Sequence, residues 1–196
     1  MEGFTTKKQQ FATVWKMHTA GDAQWYPAQV PGTVYTDLLR NGQMEDPFWK
    51  DNEYRALDLM EKDYEYETVF EGTEAQEGER QWLRFEGLDT ICDIYLNEEK
   101  IGNTYNMHRT WEFDVTGKVK AGENILRVYF HSPLEYIKEA YEKQPTHGCE
   151  DAMDGFVHIR KAHCMFGWDW GAHLPDAGIF RPVYLLTMTE GRIDSV

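Results

Sequence analysis

The chain has 196 residues, 14% of them aromatic, a mean hydropathy of -0.65, and a net charge of -14 from 20 basic and 34 acidic side chains. That length and apolar content support one domain with a real core rather than a disordered segment. The acidic balance argues against a nucleic-acid partner, and no apolar run approaches the roughly 18 residues that would span a membrane.

Three cysteines (Cys92, Cys149, Cys164) are too few and too odd in number for a disulfide framework. The start, MEGFTTKKQQF, lacks the apolar stretch of a secretory signal, so a cytoplasmic protein is expected.

Along the chain, Val34, Leu38 and Leu39 form an apolar stripe that stops at Asn41-Gly42, which predicts a helix near Val34–Arg40. Tyr64, Tyr66, Thr68 and Phe70 then alternate with Glu65, Glu67, Val69 and Glu71, the period of a strand with one apolar and one acidic face. Leu83 and Phe85 alternate with Arg84 and Glu86. The run Ile91–Leu96 follows, then the period-2 sets Trp111/Phe113/Val115 and Leu126/Val128/Phe130.

Ser132-Pro133-Leu134-Glu135 reads as a capping box with proline at the first helical position, opening a helix to about Lys143. A long loop of low periodicity runs from Gln144 to Pro182, and Val183, Leu185 and Thr187 close the series. Short strands separated by turns imply an all-β fold, a jelly-roll β-sandwich with two short helices. Residues 1–196 are expected to form a single domain.

The loop contains RKAHCMFGWDWG, Arg160 to Gly171. Phe166, Trp168 and Trp170 bracket one acid, Asp169, and Gly167 and Gly171 are predicted to free the backbone for an unusual turn. Indole faces suit the apolar face of a sugar ring, and a carboxylate accepts hydrogen bonds from the hydroxyls on its edge. The alternative is a tight loop whose tryptophans close the bottom of a core.

VPGTVYTDLL (30–39), WLRFEGLDTICDIYLNEEKIG (82–102), FDVTGKVKAGENILRVYFHSP (113–133) and GIFRPVYL (178–185) stand in the order seen in glycoside hydrolase family 2. The chain resembles the N-terminal sugar-binding domain of that family, a galactose-binding-domain-like sandwich, and FGWDWG narrows the likeness to β-mannosidases. The resemblance implies a β-mannoside or oligosaccharide substrate, no cofactor, and packing on a downstream catalytic TIM barrel that carries the two catalytic glutamates. It implies that Trp168 walls the sugar pocket and that Asp169 accepts hydrogen bonds from ring hydroxyls. Arg160 and Lys161 match a basic pair that either holds the loop's acids and carbonyls or is simply solvated; Trp170 is expected to be a packed structural anchor.

Other family 2 activities (β-galactosidase, β-glucuronidase), a freestanding carbohydrate-binding module and a purely structural domain remain as alternatives. Glycoside hydrolysis needs two carboxyl groups about 5–5.5 Å apart for retention or about 6.5–9.5 Å apart for inversion. No such catalytic pair is identifiable in this chain, and the acids Glu150, Asp151 and Asp154 read as a solvated cluster. His147, Cys149, His158, His163, Cys164 and His173 share the loop region, but their spacing matches no zinc arrangement, so no metal is expected.

Overall fold

Tyr64, Tyr66, Thr68 and Phe70 are buried, while Val69 and Glu71 face solvent. That alternation recurs along the chain and builds two facing sheets. The computed structural model describes residues 6–189. Strands β1 (Thr6–Gln10), β2 (Trp15–Thr19) and β3 (Tyr26–Ala28) precede helices α1 (Val34–Arg40) and α2 (Asn52–Met60). Then come β4 (Tyr64–Gly72), β5 (Arg80–Phe85), β6 (Ile91–Leu96), β7 (Glu99–Tyr105), β8 (Trp111–Asp114) and β9 (Gly122–Phe130). Helix α3 (Pro133–Lys143), β10 (Phe166–Trp168), β11 (Gly171–His173) and β12 (Val183–Met188) complete the order.

One sheet runs β1-β12-β5-β8 and the other β3-β2-β4-β9-β6-β7, with every pairing antiparallel. The chain passes from one sheet to the other between β4 and β5, β5 and β6, β7 and β8, and β8 and β9, the crossing pattern of a jelly roll. Inward side chains of both sheets interleave: Tyr66 lies beside Val128 and Val128 beside Ile94 in one, Leu83 beside Leu185 in the other. The β-sandwich expected from the period-2 segments is the observed architecture.

Three helices are present among the described residues, not two. The sequence reading missed α2 because its buried side is only Asn52, Ala56 and Met60, a stripe too narrow and polar to register as amphipathic. Helix α1 begins on Thr33, which accepts from the Thr36 amide, and Gly42 takes the positive φ (+66°) that ends the turn. Helix α3 spans the expected residues, but its cap is one-sided. Ser132 Oγ accepts from the Glu135 amide at 3.1 Å, whereas the Ser132 amide donates to Asp63 at 2.7 Å and Glu135 turns to Lys138. The 144–182 segment is not structureless either; it holds two short 3-10 turns and the β10–β11 hairpin.

Asp37 on α1 is 1% exposed and fastens the helix to the large sheet. Its carboxylate accepts from Tyr66 Oη at 2.9 Å, the Gln29 amide at 3.0 Å and Arg40 at 3.1 Å. Burial pushes this carboxyl above the usual aspartate range, and the three donors oppose the shift. Removing one donor leaves a buried carboxylate oxygen unpaired, so Tyr66→Phe is expected to cost about 1.5–3 kcal/mol. Urea unfolding monitored by circular dichroism measures it, and an unchanged midpoint would mean that the phenol contributes nothing there.

Candidate functional site

The FGWDWG segment folds into a hairpin of its own. Phe166 pairs with His173 and Trp168 with Gly171, so Asp169 and Trp170 form a two-residue turn at the tip. An isolated two-stranded ribbon is marginal in water, and this one hydrogen-bonds to neither large sheet. It is held from below. Phe166 is fully buried, the Met153 amide donates to the Phe166 carbonyl at 3.0 Å, and the Leu174 amide donates to Met165 at 2.9 Å.

Of the two glycines, only Gly167 is required by backbone geometry: its φ is +90° and a Cβ there would lie 2.3 Å from the His173 ring. Gly171 has no such constraint; the nearest atom to a Cβ there is 3.9 Å away.

The root below the hairpin is a buried ion pair. Lys161 is 2% exposed, and its ammonium donates to the Asp89 carboxylate and, at 2.6 Å, to the Asp176 carbonyl. Asp89 stands at the corner between β5 and β6, bridged to Gly178 by two 2.9 Å backbone hydrogen bonds. Asp176 accepts from the amides of Tyr35, on α1, and Ala177. Lys161 precedes the hairpin and Asp176 follows it, so this cluster clamps both of its ends to the sandwich corner and the start of α1. Burial raises the Asp176 carboxyl to about 6, against the opposing hydrogen bonds and the Lys161 charge.

Arg160 does the opposite of its neighbour. Its side chain is exposed, while its backbone carbonyl receives the Met107 amide at 3.0 Å. At the tip, Trp168 is 47% and Trp170 79% exposed, and Asp169 is open to solvent. Among the described residues Trp170 packs on little, because the two-residue turn throws it outward. Trp168 and Asp169 do stand side by side at the tip.

Three of the four histidines weighed as metal ligands have other partners. His158 Nε2 lies 3.0 Å from the Gln144 carbonyl, and His163 Nε2 lies 3.2 Å from that of Ile159. His173 Nδ1 contacts Glu53 on α2 at 3.2 Å, and its Nε2 contacts the Asp151 carbonyl at 3.1 Å. Among the described residues no group of three His, Cys, Asp or Glu side chains is placed to hold an ion. Glu150, Asp151 and Asp154 have exposed side chains. The Glu53–His173 contact escaped the sequence reading because α2 itself did.

Residues 15–181 match the profile of the glycosyl hydrolase 2 galactose-binding domain-like family. The chain belongs to that family. It is 36% identical over 180 residues to a β-mannosidase of Capra hircus, covering 86% of this chain and 20% of that protein. It is 35% identical over 193 residues to β-mannosidase B of Aspergillus terreus, covering 93% and 22%. The crystal structure of a β-D-mannosidase from Dictyoglomus thermophilum superposes with a TM-score of 0.84 at 36% identity, over 91% of this chain and 22% of that one.

An exo-chitosanase from Amycolatopsis orientalis, at 19% identity and a TM-score of 0.63, shares the fold. The chain thus spans about a fifth of the length of these relatives. No helix among the described residues is long and apolar enough to cross a membrane.

Two outcomes follow from the clamp. Lys161→Met strands a buried carboxylate, which costs about 3–5 kcal/mol; equilibrium unfolding should show that loss, and a loss below about 1 kcal/mol would mean water replaces the ammonium. Asp176 binds its proton more tightly folded than unfolded, so its contribution is fully present below about pH 4 and is lost as pH rises through about 6. Asp176→Asn keeps an acceptor oxygen for the two amides and abolishes the titration. Thermal melts from pH 4 to 7 should therefore fall less steeply with pH in Asp176→Asn than in the parent chain, and parallel slopes would contradict the assignment.

Proposed function

We propose that this chain is the N-terminal domain of an exo-acting β-mannosidase and that it lends Trp168 and Asp169 to the subsite holding the terminal β-mannosyl residue. The observation that carries the reading is the hairpin: a buried, clamped root presents an indole and a carboxylate together, both open to solvent. A loop that merely closed a core would bury its tryptophans. The β-mannosidase relatives, at 35–36% identity over most of the chain, support mannose over the other family 2 sugars.

In this reading Asp169 accepts hydrogen bonds from ring hydroxyls away from the anomeric carbon, and Trp168 forms a wall. Lys161 supports the loop through its grip on Asp89 and Asp176, and Arg160 through the bond its backbone carbonyl accepts from Met107. Trp170 packs against the remainder of the longer polypeptide, which would remove its large exposed face from water. The two carboxyl groups of the hydrolysis belong to a catalytic barrel in that remainder, since the relatives are about five times as long as this chain. A cytoplasmic location goes with the reading, supported by three unpaired cysteines.

Asp169→Ala in the full-length enzyme tests it. Losing hydrogen bonds to a charged acceptor in a water-poor pocket removes about 1.5–3 kcal/mol, a fall of roughly 10- to 150-fold in kcat/KM on p-nitrophenyl β-mannoside. The fold should be unaffected, because the side chain is open to solvent in this domain. A folded Asp169→Ala enzyme with unchanged kcat/KM would show the hairpin tip to be structural.

A further inference from the structure

The tip's direction depends on what holds the hairpin laterally, because the clamp below fixes its ends but not its tilt. Among the described residues one side-chain bond ties the hairpin to a helix: His173 Nδ1 to Glu53 at 3.2 Å. Helix α2 is a firm post for it. Three hydroxyls from elsewhere in the fold bond its carbonyls: Tyr35 Oη donates to Ala56 at 2.8 Å, Tyr64 Oη to Leu59 at 2.8 Å and Ser132 Oγ to Met60 at 2.6 Å.

The other ring nitrogen of His173 faces the Asp151 carbonyl at 3.1 Å, in the turn whose Met153 amide bonds the Phe166 carbonyl. Both partners of the ring are acceptors, so both bonds form together only when both nitrogens carry hydrogen. Across the hairpin the ring presses on Gly167, where even a methyl group would collide. The imidazole is therefore wedged between the helix, the 149–153 turn and the strand that leads directly into Trp168 and Asp169.

We propose that Glu53 and His173 are positioning residues for Asp169: they set the angle at which the hairpin delivers the carboxylate to the sugar. The assignment rests on Asp169 as a sugar-binding group, and it adds a device that neither motif nor composition displays. Small displacements of a binding carboxylate are costly to a reaction, because hydrogen bonds to the transition state are steep in distance and angle.

The test is a double-mutant cycle in the full-length enzyme, using Glu53→Leu, which keeps the side chain's bulk but offers the His173 ring no acceptor, together with Asp169→Ala. Glu53→Leu alone should lower kcat/KM on p-nitrophenyl β-mannoside about 3- to 10-fold with an unchanged melting temperature. In the Asp169→Ala background it should have no further effect, because there is no carboxylate left to misplace. His173→Gln, which can still bond Glu53, should lose less activity than His173→Ala.

Losses that multiply in the double variant would overturn the proposal and leave the pair a purely structural contact. So would a Glu53→Leu enzyme with full activity. A silent Asp169→Ala would sink the sugar-binding reading first and the positioning role with it, an outcome visible in the single variant and so distinct from the other two.

Discussion

An ammonium buried at the corner of the sandwich organises everything above it. Lys161 sits where water is excluded, and an unpaired charge there would be costly enough to unfold the corner. Asp89 supplies the countercharge and the Asp176 carbonyl a second acceptor. The pair does more than neutralise itself. Asp89 belongs to the β5–β6 corner, Asp176 reaches the first turn of α1, and Lys161 and Asp176 stand on either side of the hairpin in sequence. One charge cluster therefore converts a 39-residue excursion, 144–182, into a loop whose projecting part has a fixed base.

Above that base the chain is polar and aromatic on purpose-built geometry. Gly167 lets the strand pass against the His173 ring, and Phe166 drops into the core where it meets Phe156 at 6.2 Å between ring centres. The turn then has nowhere to hide its side chains, so Trp168, Asp169 and Trp170 project together. A domain folding only for its own stability would gain nothing by exposing two indoles. In the proposed function these faces meet other parts of a longer polypeptide; the relatives are about five times as long as this chain.

Helix α2 links the two themes. Its sequence is a weak helix signal, and its buried residues are few. Its position is secured instead by hydroxyls from α1, β4 and the cap of α3, each satisfying a carbonyl of its middle or last turn. The helix thereby becomes a rigid neighbour for the hairpin, with Ala56 and Met60 as its share of the core. Its polar bonds add to what that small apolar area supplies.

The sequence by itself determined six of the twelve described strands, two of the three described helices and the identity of the projecting motif. Those features are local: side chains alternate every two residues along a strand, caps lie within four residues, and aromatics flanking an acid need no distant partner to be seen. Tertiary structure alone decided the rest. Adjacent bases Arg160 and Lys161 look equivalent in sequence, yet one is solvated and the other buried, because Asp89 lies 72 positions away and only the fold brings it near.

Glu53 and His173 are 120 positions apart, so no window could pair them. Trp170 resembles a core residue by composition, and a two-residue turn places it outside. Local periodicity records which face of an element is apolar; which charged groups meet, and which aromatics are left in water, depends on contacts that exist only after the sheets have closed.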